Sequence, residues 1–248
     1  MTIRSVNVTR YVTPLREGGS LPAIVEADDD GLYVLKFSGA GQGKKALIAE
    51  LLGGEIGRML GLKVPELVFV QLDPKLAMTE PDPEIQDLIK ASAGLNLALD
   101  YLPGSMMYDP AVDPPDADLA SRIVWFDAFI ANVDRTPRNA NMLLWHKEIW
   151  LIDHGAAFYY HHNGSTFLSN ANNGFALIRD HILKPFAAKV NEVDEQMASL
   201  LTAKKLSEIV GLIPDAWLDD PERQRAEYLE FLTLRLNVPR DFASEAAK

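Results

Sequence analysis

Cysteine is absent from the 248 residues, which removes disulfides and cysteine–zinc sites. No apolar run approaches the length of a membrane span, and the opening "MTIRSVNVTRYV" lacks the apolar stretch of a secretory leader. The expectation is a soluble, cytoplasmic protein with no membrane partner. Positive charge is scarce, with 24 Lys and Arg against 35 Asp and Glu, a net charge of -11. Broad affinity for nucleic acid needs a positive footprint, so direct nucleic-acid binding is not expected. No internal repeat or heptad pattern is present. What the chain does have is 48% hydrophobic and 24% charged residues. That composition supports a real core, at a length suited to one large domain or two small lobes.

The pattern shifts along the chain. "SVNVTRYVTPL", "AIVEA" and "LYVLKFS" read as three short strands joined by the turns "REGGSLP" and "DDDG". "GAGQG" separates them from a helical pattern, "KKALIAELLGGEIGRMLG", in which Ile48, Leu52, Ile56 and Met59 form one stripe. "KVPELVFVQL" adds a strand. Residues 73–94 read as an excursion with a short helical signal at "PEIQDLIK", and "LNLALDYLPG" returns to β. The Pro-, Gly- and Asp-rich stretch "PGSMMYDPAVDPPD" places a lobe boundary between 102 and 103. Beyond it the spacing predicts helices over 118–131, 174–189, 191–210 and 221–237, the last with Pro221 in its first turn. The expected architecture is α+β: a β-rich lobe with one major helix and a linker strand over 1–102, then a mainly helical lobe over 103–248. A cleft between two such lobes is the default ligand site.

One stretch stands apart, "NVDRTPRNANMLLWHKEIWLIDHG", residues 132–155. Pro137 makes "VDRTPRNA" a loop. "NMLLW" and "IWLID" read as the two strands of a hairpin, which returns the chain to the level it left. Asp153 should therefore lie near the loop that holds Asp134 and Asn139. Asp153 and Asn139 offer oxygens suited to Mg²⁺, which favours carboxylate and phosphate. Asp134 could orient or deprotonate a hydroxyl nucleophile. That division of labour suits phosphoryl transfer. The nucleotide phosphates need a cation, and Lys36 in "YVLKF" is costly in mid-strand unless partnered. Glu50 is its expected partner, on a helix whose small face of Ala46, Gly53, Gly54 and Gly57 lets it approach the sheet closely.

Lys36, Glu50, "NVDRTPRN" and "LIDHG", in this order, resemble the HipA-like kinases, and more distantly the phosphatidylinositol 3/4-kinases, within the protein-kinase-like fold. "ALIAELLGGEIGRMLGLKVPE" is similar to the corresponding HipA segment, and the resemblance runs from about 16 to 160. It implies a two-lobed kinase-like fold with Mg-ATP between the lobes and transfer of the terminal phosphate to an unknown acceptor, with a protein Ser or Thr as the candidate. It implies Lys36 on the ATP phosphates, anchored by Glu50. It further implies Asp134 as catalytic aspartate, with Asn139 and Asp153 as metal ligands. "IDHG" in place of "DFG" is nearest the lipid-kinase form. The chain is far shorter than full-length HipA toxins, and their separate N-terminal subdomain is expected to be missing. Gly18, Gly19 and Ser20 of "REGGSLP" are the expected phosphate-side loop, although the loop is not GxGxxG. The adenine is expected beneath Leu99, Asp100 and Tyr101.

Taken singly, these residues have plainer readings. Asp134, Asn139 and Asp153 are ordinary turn formers, Lys36 an edge-strand lysine with a snorkelling head, and Glu50 a solvated helix residue. Their joint order favours the kinase. A metal-dependent hydrolase built on His154, His161 and His162 would leave Lys36 unexplained. A non-catalytic nucleotide-binding or protein-interaction module is the alternative, supported by the imperfect glycine loop.

Overall fold

Alternating buried and exposed side chains organise the first part of the chain into β1 (Ser5–Pro14), β2 (Ala23–Ala27), β3 (Leu32–Lys36), β4 (Leu67–Leu72) and β5 (Gly94–Asp100). This computed structural model describes residues 2–15, 21–41 and 43–248, without the side chains of 163–165. The five strands form a closed barrel in the order β1-β2-β3-β5-β4. Antiparallel pairs account for the β1–β2 and β2–β3 connections, as the turn signals predict. Closure comes from a parallel pairing of β1 with β4, Val6 opposite Val70. Barrel closure removes sheet edges, and a parallel pair requires the long crossover that the intervening helix supplies. Val25, Leu35, Val68, Val70 and Ala98 fill the barrel interior. Lys36 is the last residue of β3 rather than a central one, and β3 lies between β2 and β5 rather than at an edge.

The helix between β3 and β4 is α1 (Lys44–Met59). Its Leu47, Ile48, Leu51, Leu52 and Ile56 belong to the core shared with the later helices, not to the barrel interior. The glycine face predicted to meet the sheet meets it only in part. Gly54 abuts Leu67 of β4, whereas Gly53 abuts His154 and Gly57 abuts Val64 and Phe126. Within the excursion lies α2 (Pro83–Ala91), capped by Asp82, whose side chain accepts from the Glu84 N–H.

After β5 the Pro-rich stretch contributes a short strand, β6 (Met106–Met107), to a second sheet with β7 (Met142–Trp145) and β8 (Glu148–Leu151). The β7–β8 turn places His146 and Lys147 both at positive φ, 51° and 64°. This is the backbone hand that fits the twist of a tight hairpin. Between β6 and β7 runs α3 (Ala117–Phe129), capped by Asp116. Trp125, Phe126 and Phe129 on α3 are fully buried.

Two helix expectations need correction. Residues 174–189 do not form a helix but two short 3-10 turns, Ala176–Asp180 and Lys184–Phe186. Pro185 cannot donate in a helix interior, and the backbone of this segment is committed elsewhere: Ile182 N–H donates to the Arg135 carbonyl at 3.0 Å. The expected helix over 191–210 is broken into α4 (Val190–Leu200) and α5 (Ala203–Val210), because Thr202 caps a new start by accepting from the Lys205 N–H. The chain ends in α6 (Pro221–Leu236) and α7 (Asp241–Ala247). Pro221 occupies the first turn of α6, as expected.

A 3-10 turn before α6, Asp215–Trp217, reaches back to the barrel. Trp217 Nε1 donates to the Leu95 carbonyl at 3.2 Å, and its ring meets Phe69 edge-on at 5.7 Å. Lys44, at the start of α1, donates to the Ala216 carbonyl at 2.7 Å. Among the described residues no helix is long and apolar enough to cross a membrane.

Candidate active site

The end of β3, the middle of α1 and the exit of β8 converge on one ionic cluster. Lys36 Nζ lies 2.7 Å from Asp153 Oδ1 and 3.6 Å from Glu50 Oε2. Glu50 Oε1 lies 3.4 Å from His154 Nδ1. Both Glu50 oxygens have charged or polar neighbours yet no directed hydrogen bond. Burial alone would push the Lys36 ammonium down, but the Glu50 and Asp153 charges outweigh it and its pKa is raised. Burial likewise opposes ionisation of Glu50, and Lys36 with His154 overcomes it, so the Glu50 pKa is lowered. The small face of α1 makes this possible, since a Cβ on Gly53 would stand 2.8 Å from the His154 Cβ.

Asp153 leaves β8 with φ 54°, a conformation more usual for Asn, Asp or Gly than for other residues. Asn141, at the entry to β7, has φ 48°. Its backbone carbonyl accepts from Ile152 N–H at 3.0 Å, so the two ends of the hairpin are fastened together. The Asn141 side-chain amide lies 3.3 Å from Asp134 Oδ2 and 3.5 Å from the Asp153 carbonyl. Asn139 Nδ2 donates to the same Asp134 oxygen at 2.8 Å. Hairpin geometry therefore brings Asp134, Asn139 and Asp153 together, as the sequence predicts, with Asn141 as the bridge that sequence reading missed. Burial pushes the Asp134 carboxyl up; the Asn141 amide opposes this and the Asp153 charge adds to it. With Oδ2 engaged by two amides, Asp134 Oδ1 has no hydrogen-bond donor among the described residues.

The loop from 132 to 141 has a buried anchor. Asp127 on α3 accepts from Asn132 Nδ2 at 2.8 Å, from Arg135 Nε at 2.6 Å and contacts His181 Nε2 at 2.9 Å. Arg135 also donates to the Asn141 carbonyl. Burial raises the cost of charging Asp127, yet Arg135 and His181 more than offset it and its pKa is lowered. Asp127, Arg135 and His181 were not singled out by sequence. The available signal was an aspartate in the apolar run "IVWFDAFI".

The remaining expected residues are placed as follows. Leu99 is buried in β5, opposite Val34 and Leu67. The N–H groups of Asp100 and Tyr101 donate to the carbonyls of Glu66 at 2.8 Å and Leu32 at 3.0 Å, so neither is open to a base edge. Gly18, Gly19 and Ser20 lie outside the described residues. The three histidines do not converge. His154 sits against Glu50, whereas His161 contacts His162 at 2.9 Å and Tyr228 at 3.0 Å. Among the described residues no three His, Asp or Glu side chains gather as a metal site. A hard cation that keeps waters and phosphate oxygens needs fewer protein ligands. Asp153 Oδ2 and Asn139 Oδ1 fit that need, being carboxylate and amide oxygens that accept no hydrogen bond from the described residues.

A family model described as HipA-like kinase matches residues 8–239. Among solved structures, the Helicobacter pylori proinflammatory kinase CtkA is similar in fold, with TM-score 0.59 and 12% identity over 99% of this chain and 98% of that one. The Golgi casein kinase is similar with TM-score 0.52 and 12% identity over 99% of this chain and 71% of that one. A structure of the Golgi casein kinase with Mn and ADP bound gives TM-score 0.54 and 12% identity over 99% and 72%. No curated protein matches the chain.

Proposed function

The chain belongs to the HipA-like kinase family, and from that premise we propose that it transfers the terminal phosphate of Mg-ATP to an acceptor hydroxyl. The observation that carries this reading is the free Oδ1 of Asp134 beside the Lys36–Asp153–Glu50 cluster. Asp134 is held by Asn139 and Asn141 with one oxygen left to receive a proton. In the transfer, the acceptor oxygen forms a bond to the γ-phosphorus as the bond to the β–γ bridging oxygen breaks. ADP leaves, and the hydroxyl proton passes to Asp134. The raised carboxyl pKa of Asp134 suits a group that accepts a proton late in such a step.

Lys36 is assigned to the nucleotide phosphates, with Glu50 keeping its ammonium in place. Asp153 and Asn139 are assigned to a divalent metal, which would supply charge neutralisation at the β- and γ-phosphates. Nucleotide and divalent-metal use is supported by the similar fold crystallised with Mn and ADP; Mg²⁺ is the proposed ion. With the Asp100 and Tyr101 N–H groups occupied, the base-edge donor is assigned to Leu102, next along the linker. The lobe division at 102/103, and Gly18, Gly19 and Ser20 as the phosphate-side loop, form part of the same proposal.

Calorimetry with ATP, with and without Mg²⁺, tests the site, together with labelled-ATP transfer by two variants. Asp153→Asn is expected to weaken Mg-ATP binding and turnover together. Asp134→Asn is expected to leave binding nearly intact and to slow transfer by roughly 10²-fold or more. Equal ATP affinity with and without Mg²⁺ would remove Asp153 from metal binding. Wild-type transfer by both variants would overturn the mechanism. Mg-dependent binding with no transfer to any acceptor would instead make the chain a non-catalytic nucleotide-binding module.

A further inference from the structure

Between Asp134 and Asn139 the loop turns through Thr136, Pro137 and Arg138, and these residues form one wall of a cavity of about 990 Å³. The opposite wall comes from the segment between Arg179 and Pro185, with Lys248 beside it. None of Lys36, Glu50 or Asp153 lines it, so it is separate from the site assigned to the nucleotide. Its charge runs against the rest of the molecule. Four cationic side chains, Arg138, Arg179, Lys184 and Lys248, face a single carboxylate, Asp180, in a chain whose net charge is -11.

These cations are incompletely matched. Lys248 pairs with Glu245 at 2.5 Å. Lys184 Nζ donates to the neutral Ala246 carbonyl at 2.7 Å, and burial pushes its ammonium down against the opposing charge of Glu245. Arg179 reaches Asp180 only at 3.7 Å and its side chain is 75% exposed. Arg138 has no ion pair among the described residues. The two walls are fixed to each other: Ile182 N–H donates to the Arg135 carbonyl at 3.0 Å, and His181 reaches Asp127 at 2.9 Å. The cations are thereby held in register with the loop that carries Asp134.

We propose that this cavity binds an acidic stretch of a polypeptide acceptor and so presents a hydroxyl beside it to Asp134; the proposal rests on the kinase reading above. A local positive cluster on a negative molecule attracts a short run of carboxylates and disfavours a long polyanion. Nucleic acid carries a charge about every 1.7 Å along a duplex, and most of those phosphates would face the repelling remainder of the surface. A polypeptide can confine its charge to a few residues. The walls, one a turn and the other the stretch that joins two 3-10 turns, leave an open trough suited to an extended chain.

The test uses the full chain and three short fluorescein-labelled peptides, each with one serine flanked by Glu, Ala or Lys. Binding is followed by anisotropy and transfer by labelled ATP, in the wild type and in Arg179→Glu. Because Arg179 is exposed, its reversal leaves the interior intact, and circular dichroism verifies this. The Glu-flanked peptide is expected to bind at least about tenfold more tightly than the Ala-flanked one at low salt, with the advantage shrinking as salt is raised. Arg179→Glu should lose that preference and improve the Lys-flanked peptide, with ATP affinity unchanged. Charge-selective binding without any transfer would keep the docking surface and overturn the kinase reading. Transfer that is equal for all three peptides, and unmoved by Arg179→Glu, would keep the kinase reading and overturn this inference. So would Glu-selective binding that survives the reversal.

Discussion

Asp127 and Arg235 place opposite charges in the same interior and satisfy them differently. Asp127 has cationic and amide partners arranged around both oxygens. Truncation to Ala would strand the Arg135 guanidinium, fully buried beside it. Removing one partner of such a pair costs roughly 3–5 kcal/mol, so Asp127→Ala is expected to lower the urea midpoint by that equivalent. The pH dependence has a definite sign. The Asp127 pKa lies below its ordinary 3.8 in the folded protein, so its contribution is full above that value and is lost as pH falls below it. Urea midpoints measured down through that range should fall more steeply for wild type than for Asp127→Asn. Parallel curves would show that the charge does not stabilise the fold.

Arg235 has no carboxylate partner among the described residues. Its guanidinium donates to the carbonyls of Ala128 and Phe129 at 2.7 Å each, and to Ala171 at 3.0 Å and Asn173 at 3.3 Å. The first two are the carbonyls at the end of α3, where helix acceptors are left over and a cation is favoured. Burial pushes the group down to about 10. Lysine has a point charge and fewer donors in another geometry. Arg235→Lys is therefore expected to be destabilising almost as far as Arg235→Met, by about 3 kcal/mol or more. Thermal melts decide this, and full rescue by Lys would reduce Arg235 to a simple charge.

At the scale of elements, α1 shows how a poor helix sequence becomes a requirement. Gly53 lies in the helix interior, where Ala is favoured by about 1 kcal/mol. The approach to His154 reverses that preference for function. Gly53→Ala forces α1 and the segment after β8 apart, and Glu50 moves with α1. Transfer should fall by roughly 10- to 100-fold, the usual cost of a displacement near 1 Å, with the fold retained on circular dichroism. Gly54→Ala is the control. Its new Cβ would meet a Leu67 methyl at 2.5 Å, the end of a side chain that can turn away. Equal losses in both variants would show that any bulk added to α1, and not the His154 contact in particular, disturbs the site.

The same element shows what sequence carries. The period of Ile48, Leu52 and Ile56 marks α1, and the loss of alternation after residue 103 marks the helical part. The proximity of Asp134, Asn139 and Asp153 was legible because a hairpin fixes it locally. Barrel closure was not, because the pairing of β1 with β4 joins strands about sixty residues apart without any turn signal. The 174–189 segment misled because its apolar residues do not follow a local helix. The segment is held by distant partners instead: His181 reaches Asp127 and the Ile182 N–H donates to the Arg135 carbonyl. Asn141 and Asp127 were invisible as site residues for the same reason, since each acts through contacts that only the tertiary fold creates.

Across the whole molecule, two apolar clusters divide the interior, one inside the barrel and one shared by α1 and the later helices. The turn Asp215–Trp217 belongs to the second and ties it to the barrel strands. It fixes Trp217 on Phe69 and Leu95 of the barrel and accepts Lys44 from α1, while α5 packs on the same helix. Trp217→Ala is expected to destabilise by roughly 3–5 kcal/mol and to weaken Mg-ATP binding through the slack it gives α1. Calorimetry below the melting temperature separates the two effects, and unchanged affinity would confine Trp217 to stability.

That bridge bears on control. A kinase whose Glu50-bearing helix could swing would need an activator to bring it home, and would start slowly until one arrived. Here α1 contacts the barrel, α5 and the Trp217 turn at once, so the kinase reading expects no such activator to be needed. Phosphate incorporation by freshly purified protein should therefore begin without a lag and should not accelerate after preincubation with Mg-ATP. A lag abolished by preincubation would show that α1 is switched after all. If the progress curves are linear, any on–off decision falls to whatever delivers the acceptor.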